Sequence, residues 1–309
     1  MSGSIFPWSS SLEPLASYAV SRNVSLHILA GSVADYAPGA FRATSQDNTH
    51  GESTKKQRLI APILAAIVNA ANEGCLGGGG VDGAISQRGG INLAKDRQAL
   101  PLLPNPSGGP DVRCPTGRAV ATGPGDYGRL QVPYVIHAVG PIYNQWRDLA
   151  EPNALLQSAY TTSLQVAQAN GISEVAFALL SAGVFRGQQT LEEVLSIAIR
   201  GVQDFVQQND EGETVIEEIS LVAFSSREQK VLLEVATKLL SPSEESQSEE
   251  SQTEDSEMAS TATNSPSEAS EKATYIPAAN SPSSEPDEAS TGTSGDSEKE
   301  SAIENGKEL

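Results

Sequence analysis

Residues 67–90 read Ile67-Val68-Asn69-Ala70-Ala71-Asn72-Glu73-Gly74-Cys75-Leu76-Gly77-Gly78-Gly79-Gly80-Val81-Asp82-Gly83-Ala84-Ile85-Ser86-Gln87-Arg88-Gly89-Gly90. An apolar run ends in two asparagines, Asn69 and Asn72. Four glycines follow, and Val81-Asp82 opens a stretch with the character of a helix. Strand, glycine run and helix start, in that order, present backbone N–H groups that suit phosphate oxygens. Asp82 is out of place beside such a cradle, because a carboxylate repels phosphate. One reading makes it a helix N-terminal acid that answers the helix dipole. The other gives it chemistry to do on the bound ligand.

Upstream of this stretch, residues 24–29 alternate as a strand ending at Gly31. Residues 1–23 read as a weakly structured lead-in with a short helix over 11–20, and residues 38–56 as a polar loop. Residues 64–68 form a second strand, buried by its near-continuous apolar character. Downstream, the helix from Asp82 gives way to a Pro/Gly-rich insertion over 100–117. Strands are predicted over 118–122 and 134–139, around the turn Gly123-Pro124-Gly125-Asp126. Leu155, Leu156, Ala159, Leu164 and Ala167 recur at helical spacing within 153–169. A strand over 175–180, an amphipathic helix over 191–205, a strand over 219–224 and a closing helix around Val231, Leu232, Val235 and Leu239 complete the folded part.

This alternation predicts an α/β fold with a mainly parallel sheet and helices on both faces. Ligands in such folds bind at loops beyond the carboxyl ends of the strands. Two glycine-rich loops reach that edge: residues 69–80, and Ser181-Ala182-Gly183-Val184-Phe185-Arg186-Gly187. The second loop's small residues admit backbone amides close to a phosphate, and Phe185 suits packing on a sugar or base. Two such loops at one edge can grip a diphosphate from both sides.

The 309-residue chain carries a formal net charge of −19. Residues 241–309 hold 17 acidic and 3 basic side chains with almost no large apolar ones, so −14 of that charge lies there. Such a segment buries too little surface to offset the entropy of ordering and is expected to be a disordered acidic tail. The Ser/Glu alternation in Ser246-Gln247-Ser248-Glu249 suits acidic-directed phosphorylation. An acidic body with an acidic tail excludes binding to the nucleic acid backbone as an expected function. Two cysteines, Cys75 and Cys114, are too few for a disulfide framework or a structural zinc site. With no signal peptide pattern and no long apolar run, a cytoplasmic or nuclear protein without a membrane span is expected.

The motifs taken together resemble the macro domain family, the ADP-ribose-binding fold. They run in order from Ile67-Val68-Asn69-Ala70-Ala71-Asn72 through Gly77–Ile85, Thr116-Gly117, Thr122-Gly123-Pro124-Gly125 and Val135-Ile136-His137-Ala138-Val139-Gly140-Pro141 to Ser181–Phe185. The likeness covers roughly residues 24–240, which the resemblance makes one macro domain. It implies a three-layer α/β/α sandwich around a mixed, mostly parallel sheet. Asn72 followed ten residues later by Asp82 resembles the MacroD-type branch in particular.

The resemblance also implies roles. Asn72 orients the distal ribose, and Asn69 supports its loop. The backbone amides of Gly78, Gly79, Gly80 and Val81, and of Ser181, Ala182, Gly183, Val184 and Phe185, hold the diphosphate. Phe185 packs on the distal ribose. Asp82 positions or deprotonates the water that attacks the anomeric carbon, with Asp82 and Asn72 as the catalytic pair. Ser32 and Val33 fall at the adenine end, where the family usually carries an Asp in place of Ser32; Asp35, three residues on, is the alternative acid. Ser86 stands where this branch has His. Arg186 stands where Gly is common, and either clamps the diphosphate or narrows the cleft.

Bland readings suit the remaining candidates. His137 lies in an apolar strand and reads as a hydrogen-bonded core residue. Cys75, with no His nearby in sequence, reads as a small buried thiol. The expected function is hydrolysis of ADP-ribose esters, on mono-ADP-ribosylated proteins or on O-acetyl-ADP-ribose, by a monomer needing no cofactor or metal. The alternative is a module that reads ADP-ribose without turning it over.

Overall fold

Five apolar runs pair side by side because each is buried on both faces and has only its neighbours' backbones to bond. The computed structural model describes residues 12–39, 64–104, 109–209 and 214–241. Its strands are β1 (Glu13–Ala19), β2 (Ser25–Ala30), β3 (Ala65–Ala70), β4 (Ala119–Thr122), β5 (Tyr134–Ala138), β6 (Glu174–Ala178) and β7 (Glu218–Ala223). They form one mixed sheet in the order β1-β2-β7-β6-β3-β5-β4. The five inner strands are parallel, and β1 and β4 close the two edges antiparallel.

Alternate residues of the strands feed two separate cores. Val68, Ile136, Phe177 and Leu221 face the larger one with helices α2 (Ala150–Ala169), α3 (Leu191–Gln208) and α4 (Ser226–Leu240). Ala65, Ile67, Val135 and Val222 face the smaller one with helix α1 (Gly80–Ala99). Helices thus cover both faces, giving the three-layer α/β/α arrangement. The predicted apolar stripe of α3 is buried along its length, from Leu191 to Phe205. Each large side chain so placed contributes about 1.5–3 kcal/mol.

One expectation is corrected. Residues 13–19 form a strand and not a helix, so the segment read as a lead-in adds an edge to the sheet. The reason is tertiary: the open edge of β2 offers a row of backbone partners, and pairing overrides a helix-like spacing of small apolar residues. Pro14 is tolerated there because edge strands have one unbonded side, and the register shifts beside it, between Pro14 and Ala16. The loop read over 38–56 lies outside the described residues beyond Gly39, as does the acidic tail beyond Ser241.

Candidate functional site

Asp82 lies in the first turn of α1, and the fold buries it: 3% of its surface is exposed. Its Oδ1 accepts from Asn69 Nδ2 at 2.9 Å and from Arg97 Nη2 at 2.8 Å. Arg97, 2% exposed, also donates through Nη1 to Ser86 Oγ at 2.7 Å, and Ser86 Oγ donates to the carbonyl of Asp82 at 2.7 Å. On a straight helix, residues 82 and 97 would stand about 22 Å apart along the axis. They meet because α1 breaks at Gly90, whose φ of 61° and ψ of −153° suit glycine. The break folds the second half of the helix back against the first. Arg97 Nε and Asn69 Oδ1 find no hydrogen-bond partner among the described residues. Each orphaned group costs about 1–3 kcal/mol. The cluster is therefore a device for geometry more than for stability.

Asn69 and His137 are register partners on β3 and β5. Asn69 Nδ2 lies 3.3 Å from His137 Nδ1, and His137 Nε2 lies 3.1 Å from Thr122 Oγ1. Since the amide can only donate, Nδ1 accepts and Nε2 carries the proton; Thr122 then donates to the carbonyl of Val135. Burial, helped by the charge of Arg97, holds the His137 imidazole well below its ordinary 6.5. The unfolded chain takes up this proton from about pH 6.5 downward. The stability His137 lends is therefore full above that pH and is lost as pH falls toward the folded value. His137→Gln is expected to flatten the decline of the urea midpoint between about pH 6.5 and pH 5.

Asp82 Oδ2 faces Gly78 in the loop that carries Asn72. A Cβ at Gly78 would sit 3.1 Å from that oxygen and 3.3 Å from Asn72 Nδ2, so a larger residue there would push the two side chains apart by a few tenths of an ångström. Asn72 Nδ2 donates to the carbonyl of Gly77 at 3.0 Å. Asn72 and the half-buried Phe185 line one cavity of about 540 Å³. The insertion read over 100–117 reaches this cavity as well, through Asp111, Val112 and Thr116. Glu73 Oε1 ties the insertion down, accepting from Thr116 N–H at 3.0 Å and from its hydroxyl at 2.9 Å.

A second cavity, of about 380 Å³, opens along the same sheet edge and is lined by Ser32, Val33, Gly80, Val81, Gly183 and Phe224 among others. The two glycine-rich loops therefore do meet across one cleft. The extended Gly79 leads into α1, whose first N–H groups have no partner within the helix. Ser181 adopts φ 53°, an uncommon conformation for a residue with a side chain. Its hydroxyl turns inward to the carbonyl of Pro141 at 2.9 Å. Gly140 makes room, since a Cβ there would lie 2.2 Å from Ser181 Oγ. Ala182 is buried beside it, and Val184, 91% exposed, stands out from the 3-10 turn over Val184–Arg186.

Two charged candidates near the cleft have partners of their own. Asp35 is ion-paired through Oδ1 with Arg88. Arg186 Nη1 donates to the carbonyl of Gln189 at 2.6 Å, bracing its own loop. Asn69, fully buried, serves Asp82 and lines neither cavity. Sequence reasoning missed Arg97 and Phe224. Phe224 follows the last residue of β7 and is 77% exposed at the cleft, an unusual place for a ring unless something covers it. Among the described residues, no group of three or more His, Cys, Asp or Glu is placed to hold a metal ion. No helix among them is long and apolar enough to cross a membrane.

Comparison with known proteins agrees with this architecture. The family model described as Macro domain matches residues 68–198. A macro domain-containing protein of Caldanaerobacter subterraneus is 39% identical over 176 residues, spanning 57% of this chain and 90% of the relative. One from Cupriavidus necator is 37% identical, spanning 60% and 93%. The Oceanobacillus iheyensis macrodomain solved with ADP superposes with a TM-score of 0.52 at 28% identity, covering 74% of this chain and 98% of that one. A mutant of the same macrodomain, solved with ADPR, gives 0.52 at 28%, covering 74% and 100%.

Proposed function

The chain belongs to the macro domain family, and from that premise we propose that its cleft binds ADP-ribose and hydrolyses ADP-ribose esters. The observation that carries this reading is the convergence of Asp82 Oδ2 and Asn72 Nδ2 on Gly78. The two groups approach Gly78 together, Asn72 lining the cavity that holds Phe185 and Asp82 lying buried behind the loop, outside both cavity linings. The adenosine end occupies the cavity of Ser32 and Val33, with Phe224 stacking on the base. The diphosphate lies against the N–H groups of Gly78–Val81 and of Ser181–Phe185. The distal ribose enters the Asn72 cavity against Phe185.

Asn72 donates to a ribose hydroxyl and fixes the anomeric carbon. Asp82 Oδ2 accepts a proton from the attacking water, while Arg97 and Asn69 keep Oδ1 occupied and the carboxylate aimed. Ester-linked substrates fit, as the leaving carboxylate needs no strong acid to depart. Mono-ADP-ribosylated acidic side chains meet that description at the anomeric carbon; with O-acetyl-ADP-ribose the same water attacks the acetyl carbonyl, and the ribose oxygen leaves and takes a proton, freeing acetate. The protein acts as a monomer on these partners.

The test is single-turnover release of ADP-ribose from a protein mono-ADP-ribosylated on acidic side chains. Release with ADP-ribose affinity in the same preparation supports hydrolysis. Affinity without release assigns the chain to the readers, a reading favoured by one observation, the 3% exposure of Asp82. Phe224→Ala is expected to weaken ADP-ribose binding by about 1–3 kcal/mol, read by titration calorimetry.

A further inference from the structure

The chain has two cysteines, Cys75 and Cys114, and the chemistry above uses neither. They are distant in sequence, yet both are buried in one small cluster with Ala71 and Val139. The backbone holds their segments together. Arg113 N–H and Cys114 N–H both donate to the carbonyl of Glu73, at 2.8 and 3.1 Å. Cys75 N–H donates to the carbonyl of Asn72 at 3.0 Å, and Cys75 adopts φ 55°, an uncommon conformation for a residue with a side chain. Cys75 Sγ donates to the carbonyl of Asn72 at 3.5 Å and Cys114 Sγ to that of His137 at 3.7 Å, and the two thiols are in contact within the cluster. That contact, with the charges of Arg97 and Arg113, holds the Cys75 thiol below its ordinary range. The same contact, and then burial, pushes the Cys114 thiol up. The two guanidinium groups beside Cys75 favour loss of a proton from the pair.

We propose that Cys75 and Cys114 are a reversible dithiol–disulfide site, oxidised by hydroperoxides, that ties the Asn72 loop to the insertion beside it. The Cys75 thiolate attacks one peroxide oxygen. The O–O bond breaks, leaving a sulfenic acid on Cys75 and a hydroxide that takes a proton from solvent. The Cys114 sulfur then attacks the sulfenic sulfur; its proton leaves with the departing oxygen as water, and the S–S bond forms. With hydrogen peroxide, two thiols are oxidised by two electrons and the peroxide becomes two waters. Access comes through the glycine-bearing turn. Gly74, next to Cys75, lines the 540 Å³ cavity, and Leu76 on its other side is 54% exposed. Local opening of that turn exposes the thiolate without global unfolding.

The test uses the full chain, reduced, freed of reductant and treated with stoichiometric hydrogen peroxide. Intact mass is expected to fall by about 2 Da as two hydrogens leave. Both thiols are expected to resist alkylation after denaturation, the Cys75 and Cys114 peptides to be linked, and dithiothreitol to restore both thiols. With two cysteines in the chain, any link within one chain is this pair. Cys114→Ser is expected to gain about 32 Da instead, as Cys75 advances to the sulfinic acid. The proposal is overturned if both wild-type thiols still alkylate, if oxygen accumulates on Cys75 while Cys114 stays free, or if links form only between chains. It is equally overturned if the urea-unfolded chain cross-links as fast as the folded one.

Discussion

Arg97→Ala is expected to lower the free energy of unfolding by about 3–5 kcal/mol, because it leaves the Asp82 carboxylate buried without its cation. In a domain of this size, that loss corresponds to a fall of roughly 6–20 °C in the thermal midpoint. The comparison within the same protein is Lys230, whose exposed pairing with Glu234 spans 3.9 Å. Lys230→Ala is expected to change stability by less than about 0.5 kcal/mol. Calorimetric melts of the two variants decide the matter, and an Arg97→Ala midpoint within a degree or two of wild type would show that the ion pair is not buried as described. Replacing both members with apolar residues of similar volume is expected to recover most of the loss, since the penalty belongs to the orphaned charge.

Asp82→Asn is the second large effect, and it acts on chemistry. The substitution keeps the shape but removes the proton acceptor facing Gly78, so release of ADP-ribose is expected to fall by about 10²–10⁴-fold. It also leaves Arg97 as a buried cation, so the assay belongs well below the variant's own melting temperature. ADP-ribose affinity is expected to stay within a few-fold of wild type, because the proposed diphosphate contacts are backbone groups that the substitution does not touch. Undiminished release would remove Asp82 from the mechanism. Release and binding lost together would assign Asp82 to the architecture of the loop.

Much of the layout was legible because the inner strands are buried on both faces. Runs such as Ala65–Val68 and Val175–Ala178 are apolar without interruption, and the stripe on α3 has a period that only a helix satisfies. The edge was harder. Residues 13–19 have no strong intrinsic preference, and hairpin pairing with β2 across the turn at 20–24 decides their state. The site divides in the same way. Asn72, the glycine run and Asp82 lie within one short stretch, so their proximity follows from the chain itself. Arg97 was invisible because spacing along an unbroken helix places it remote from Asp82, and nothing local announces that Gly90 turns the helix back. Phe224 was read as the end of a strand, and its exposure depends on where β7 stops. Asp35 and Arg186 were legible as charges, but their partners, Arg88 and the carbonyl of Gln189, were not, because packing sets them.

The break at Gly90 makes the acid, its counterion and the serine between them a portable cassette. Asp82, Ser86 and Arg97 all lie on one element of 20 residues, so exchanging α1 between homologous scaffolds would move an electrostatic setting as a unit. Only the Asn69 amide would have to be supplied by the recipient sheet. Selection on this chemistry can therefore act by retuning a single helix, while the strands that shape the cleft stay as they are.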